Sequence, residues 1–123
     1  MPTRSNVTAD NLPILDLETA LERIENDREL YLQIVQIYIT DAPKQLGGIY
    51  QALGTLDRKV IERHAHSLKS ASANVGAERA RWAASALEDQ APSAEIIEVE
   101  RLAQLLKAEI ASALGALENY LSQ

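Results

Sequence analysis

Ala65-His66-Ser67-Leu68-Lys69-Ser70-Ala71-Ser72-Ala73-Asn74-Val75-Gly76-Ala77 holds the pattern that decides the fold. A helix turns about 100° per residue, so positions three and four apart are neighbours on its surface. On that spacing His66, Lys69, Ser70 and Ala73 share one stripe, extended backwards by Glu62 and Arg63. Ile61, His64, Leu68, Ala71, Ser72 and Val75 fall on the opposite side and read as the core face. The stretch therefore places one imidazole on the wet face, with a cation one turn on and small residues around it. Such a histidine can be approached by a partner, whereas His64 points the other way and reads as packed or partly buried. Gly76 follows as a residue suited to the left-handed position that ends a helix.

Working outward, the same periodicity continues on both sides. Asp57 opens the helix that carries His66. Before it, from Asp27 to about Leu56, Leu30, Ile34, Tyr38, Ala42, Leu46, Ile49, Leu53 and Leu56 recur at helical spacing. Pro43 and the Gly47-Gly48 pair interrupt this run; Pro43 removes one backbone donor and is expected to kink the helix rather than end it. Asp16 can cap a short helix to about Glu25, with Leu17, Leu21 and Ile24 on one side, and Asn26-Asp27 breaks it. After Gly76, one helix runs from about Ala77 to before Pro92. Another runs from about Ala94 to Leu121, with Val99, Leu102, Leu106, Ile110, Ala113, Leu117 and Tyr120 in one stripe. No strand pattern stands out. The expected fold is all-α: an antiparallel up-and-down four-helix bundle with a short additional N-terminal helix, spanning 14–123. Residues 1–13 are polar and unpatterned and are expected to form a flexible tail.

Composition narrows the function. With 12 Lys/Arg against 18 Asp/Glu the chain carries a net charge of −6, which argues against general nucleic-acid binding. The sign is uneven: 57–81 holds six Lys/Arg and three Asp/Glu, so the histidine segment is a basic island on an acidic protein. That island reads either as a solvated helix face or as a platform for an anionic group. There is no cysteine and only two histidines, so neither a disulfide framework nor a structural zinc site is expected. No signal-peptide pattern and no apolar run of membrane-spanning length is present, so a soluble, cytoplasmic monomer without membrane attachment is expected.

The string Ala65-His66-Ser67-Leu68-Lys69-Ser70, followed by Gly76-Ala77, resembles the signature of histidine-containing phosphotransfer (HPt) domains, Ala-His-x-Leu-Lys-Gly-Ser-x-x-x-Gly-Ala. One position departs: Ser70 stands where the family usually has Gly. The resemblance extends over Asp16–Ile24, Asp27–Pro43 and Leu87-Glu88, covering nearly the whole chain from Ile14. It implies that His66 accepts a phosphoryl group on Nε2. It implies an acceptor for the other ring nitrogen at Glu88, whose alternative is an ordinary solvated carboxylate. Lys69 can screen the phosphoryl oxygens as a mobile point charge, or be a plain surface lysine. The docking face it implies includes Arg63, Ser70 and Ala73, with Leu17, Leu21 and Leu30 on the first helix and the start of the second; each of these three leucines has a core position as its alternative.

The implied function is a phosphorelay intermediate in two-component signalling, exchanging a phosphoryl group with response-regulator receiver domains and, upstream, a sensor or hybrid histidine kinase. No Walker A or Gly-x-Gly-x-x-Gly loop is present, so no ATP site and no self-phosphorylation are expected. The chain itself needs no cofactor; Mg²⁺ is expected on the partner receiver. A different class of reading is a helical adaptor that binds a receiver or kinase without carrying phosphate. The His66–Lys69 pair favours the relay, since an adaptor needs neither.

Overall fold

The computed structural model describes residues 11–123 and is all-helical, with no strand among them. α1 spans Leu17–Arg23, α2 Arg28–Thr55, α3 Arg58–Val75, α4 Glu78–Gln90 and α5 Ile96–Leu121. Most of the expected tail, 1–10, lies outside the described residues. At the tail's end, the Leu12 carbonyl accepts a hydrogen bond from Arg79 Nε at 2.8 Å. No helix among the described residues is long and apolar enough to cross a membrane.

An aspartate opens each of the first three helices. Asp16, Asp27 and Asp57 each turn a carboxylate oxygen onto the backbone N–H three residues on, at 3.2, 3.0 and 3.3 Å. Each satisfies one donor that the first turn leaves unpaired, typically worth about 1 kcal/mol. α3 stops at Gly76, whose φ of 82° few side chains tolerate. A Cβ there would also strike the Asp16 carbonyl. The absence of that atom lets α1 close in, and the Asp16 N–H donates to Gly76 O at 2.7 Å. The end of the His66 helix is thereby tied to the start of α1.

α2 runs unbroken through Pro43 and both glycines, but its buried row differs from the expected one. Tyr31, Val35, Tyr38, Ala42, Ile49 and Ala52 face inward, while Leu30 and Leu56 are exposed. The reason is geometric. Steps of four residues advance 400°, so the expected row drifts about 40° per step away from the core, whereas alternating threes and fours stay on it.

The main packing of the long helices sets α2 against α3 and α5, and α4 against α3 and α5. Small side chains make this close packing possible. Ala65, Ala80, Ala83, Ala84 and Ala103 are fully buried beside Leu68, Leu87, Leu106 and Leu117. Burying each such leucine contributes about 1.5–3 kcal/mol. The expected core positions Leu68, Val75, Leu106 and Ile110 are all buried. Two buried tyrosines keep their hydroxyls satisfied. Tyr31 donates to Val75 O at 2.7 Å, and Tyr38 pairs with Ser72 Oγ at 3.0 Å. Both contacts pin α2 to the C-terminal half of α3.

Candidate functional site

The core row of α3 is Ile61, Ala65, Leu68, Ser72 and Val75. That row turns His66 outward, and its side chain is 60% exposed. On α4, Leu87 is fully buried, so the next residue, Glu88, lies about 100° round and reaches the rim facing α3. Glu88 Oε2 meets His66 Nδ1 at 2.8 Å. The other oxygen, Oε1, meets Lys69 Nζ at 2.8 Å. Oε1 is shielded from water and has the Lys69 ammonium alone to answer it, an ion contact without good hydrogen-bond direction.

The carboxylate is therefore shared between the imidazole and the ammonium, with only 18% of its side chain exposed. Lys69 holds the Glu88 carboxyl below the usual carboxylate range; partial desolvation opposes this and His66 adds to it. An ionised carboxylate can only accept, so the shared proton belongs to Nδ1. In a neutral ring that arrangement puts the lone pair on Nε2.

Lys59, Glu62, Arg63, His66 and Glu88 line one open cleft. Lys59 was not anticipated as a site residue. Its spacing of seven residues from His66, two helical turns, was the available signal. Ser70 and Arg63 are exposed on the same stripe, and Ala73 is half-buried. The Ala73 carbonyl accepts from Arg23 of α1 at 3.0 Å. A second groove, between α2 and α3, is lined by Ile34, Ile37, Tyr38, Asp41, Ala71 and Asn74, with Ile37 66% exposed.

Of the three leucines expected on the docking face, Leu30 is 39% exposed and Leu17 half-buried. Leu21 is a correction: it is only 6% exposed and belongs to the core, because α1 lays that side against the bundle. His64 sits half-buried as expected. Its Nδ1 pairs with Gln45 Oε1 at 2.6 Å, and Gln45 Nε2 donates to Asp41 Oδ2 at 3.4 Å. The ring lies against Gly48, where a Cβ would overlap it. The two histidines thus face different helices, one towards α2 and one towards α4.

Over residues 33–121 the sequence matches the Hpt domain family. The chain belongs to that family. Membership places it in the phosphorelays of two-component signalling. The matched span holds α3, α4 and α5 entire, whereas α1 and Leu30 precede it. Two solved Hpt structures share the fold. One is histidine-containing phosphotransfer protein B from Pseudomonas aeruginosa PAO1, with a TM-score of 0.80 and 23% identity, covering 88% of this chain and 94% of that one. The other is the HPT domain of a sensor hybrid histidine kinase from Shewanella, with a TM-score of 0.79 and 21% identity, covering 89% and 95%. No curated protein matched the sequence.

Proposed function

We propose that His66 is the phosphoacceptor of a multistep relay. Nε2 attacks the phosphorus of a receiver's aspartyl phosphate. The new N–P bond forms as the P–O bond to the aspartate breaks, and the aspartate leaves as a carboxylate. The imidazole keeps its proton on Nδ1, donated in a hydrogen bond to Glu88, and becomes a cation, so charge balances. The reverse step delivers the group to a second receiver. Mg²⁺ and the carboxylates that hold it belong to the receiver, and the phosphoryl group comes from a protein donor rather than from ATP.

The observation that carries this reading is the 2.8 Å contact of Nδ1 with Glu88 on an otherwise exposed ring. It supplies the two things a nucleophilic imidazole needs: a fixed tautomer and a free lone pair. Lys69 acts first on Glu88, keeping it ionised and in place. Ser70, Arg63 and Ala73 form the surround of the docking site, with Leu30 and Leu17 at its edge. The same reading takes 14–123 as the functional domain and 1–13 as a tail. It takes the four long helices as antiparallel, since links such as Gly76-Ala77 force neighbours to reverse. The domain works as a cytoplasmic monomer.

The test is discharge of a panel of phosphorylated receivers onto the purified chain. Parent and His64→Gln should take label, and His66→Gln should take none while keeping its helical signal. Label retained by His66→Gln would overturn the assignment.

A further inference from the structure

Resting on His66 as the acceptor, we infer that Arg63 and Lys59, rather than Lys69, carry the charge of the incoming phosphoryl group. The basic island of α3 and α4 is largely committed elsewhere. Arg58 donates to the carbonyls of Ala91 and Ala94 at 2.9 and 2.7 Å. Arg81 pairs with Glu78 at 2.9 Å, and Arg79 holds Leu12 O. Lys69 is spent on Glu88, and that pair sums to zero charge. Among the described residues, Lys59 and Arg63 make no ion pair.

Both of these cations line the cleft that contains His66. Arg63 stands one turn and Lys59 two turns before it, about 4.5 and 10.5 Å along the axis. A helical side chain leans over the turn N-terminal to its own Cα. The His66 ring therefore lies over the turn that carries Arg63, and it is the shared lining of the cleft that puts both cations beside it. Glu62 lines the same cleft and offsets one of the two charges, leaving a net of one positive charge beside the ring. A dianionic phosphoryl group arriving at Nε2 meets that cation, whereas the Lys69–Glu88 pair offers it none.

Phosphoramidate separates this role from receiver docking, because it has no protein surface to dock. Nε2 attacks its phosphorus, the P–N bond breaks, and ammonia leaves. The monoanionic zwitterion and a neutral imidazole become a phosphorylated imidazolium of the same net charge. The parent should acquire label on His66, mapped by mass spectrometry. The Lys59→Ala/Arg63→Ala variant should be labelled about tenfold more slowly at low salt, the lower end of what a charged cleft contributes. The parent rate should fall between about 0.01 and 1 M salt, as the screening length shrinks from about 30 to 3 Å, and the variant rate should stay nearly flat. Arg63→Lys should recover most of the parent rate. A double variant labelled like the parent at every salt concentration would overturn the inference and leave His66 standing as acceptor. A failure of Arg63→Lys to recover the rate would also overturn it. No label on His66 of the parent would overturn both this inference and the relay reading.

Discussion

Glu88 on α4 and His66 on α3 meet at 2.8 Å through Oε2 and Nδ1, joining two helices and giving the ring a carboxylate acceptor in one contact. What matters in that contact is an acceptor, not only a charge. Glu88→Gln can still accept from Nδ1–H through its amide oxygen, so it should keep transfer within about tenfold of the parent. Glu88→Leu removes the acceptor and should slow transfer by about 10²-fold, towards the low end for a lost general acid–base partner. Parent-like rates for both variants would remove Glu88 from the mechanism.

Lys69 depresses the Glu88 pKa, so the stabilisation from this ionised carboxylate is present above the pKa of an unfolded glutamate. It is lost as pH falls through the lower, folded value. Lys69→Ala should raise the folded value towards the usual range and move that loss to higher pH. The carboxyl ¹³C shift of Glu88, followed by NMR from neutral pH into acid, reads this directly. An unmoved titration would show that Lys69 does not act through Glu88.

Ser70 is exposed one turn after His66, where the family usually has glycine. Ser70→Gly should keep or raise the rate of transfer from a receiver, at a cost of roughly 0.5 kcal/mol in helix stability. Ser70→Gln should obstruct the approach and slow transfer at least about tenfold, a barrier change of about 1.4 kcal/mol. Parent-like transfer by the glutamine variant would move the docking surface away from this stripe.

Gly48 lies under the His64 ring, and two effects of adding a methyl there oppose each other. Alanine gains about 1 kcal/mol of helix propensity over glycine. Its Cβ would overlap the imidazole, and such overpacking costs about 1–3 kcal/mol. The clash should win, so Gly48→Ala should lower stability in urea melts, and Gly48→Ala combined with His64→Ala should recover part of the loss. A stabilised single variant would contradict the close α2–α3 approach.

Much of the fold could be read in the sequence because caps and periodicity are local. Asp16, Asp27, Asp57 and Gly76 mark the helix ends they were expected to mark. The opposed orientations of His66 and His64 follow from two positions on one helix. What failed was what local spacing does not contain. Leu30 and Tyr31 differ by one residue, and only the packing of α2 decides that Tyr31 turns inward. Leu21 is apolar on the expected side of α1, but spacing does not say that this side is covered. Lys69 and Glu88 stand 19 residues apart in the chain, and their ion pair depends on how α4 folds back beside α3. Spacing alone therefore does not show that the Lys69 ammonium meets Glu88. Glu88 itself was indicated by family resemblance, not by periodicity.

The measurement that bears most directly on the central claim is the position of phosphorus on the ring. The chain, labelled with ¹⁵N-histidine, is incubated with a phosphorylated receiver and examined by ³¹P–¹⁵N correlation at neutral to alkaline pH. A one-bond coupling to Nε2 of His66 is expected, with Nδ1 still bonded to a proton shared with Glu88 and with His64 unchanged. Phosphorus on Nδ1 of His66, on His64, or on neither histidine would contradict it.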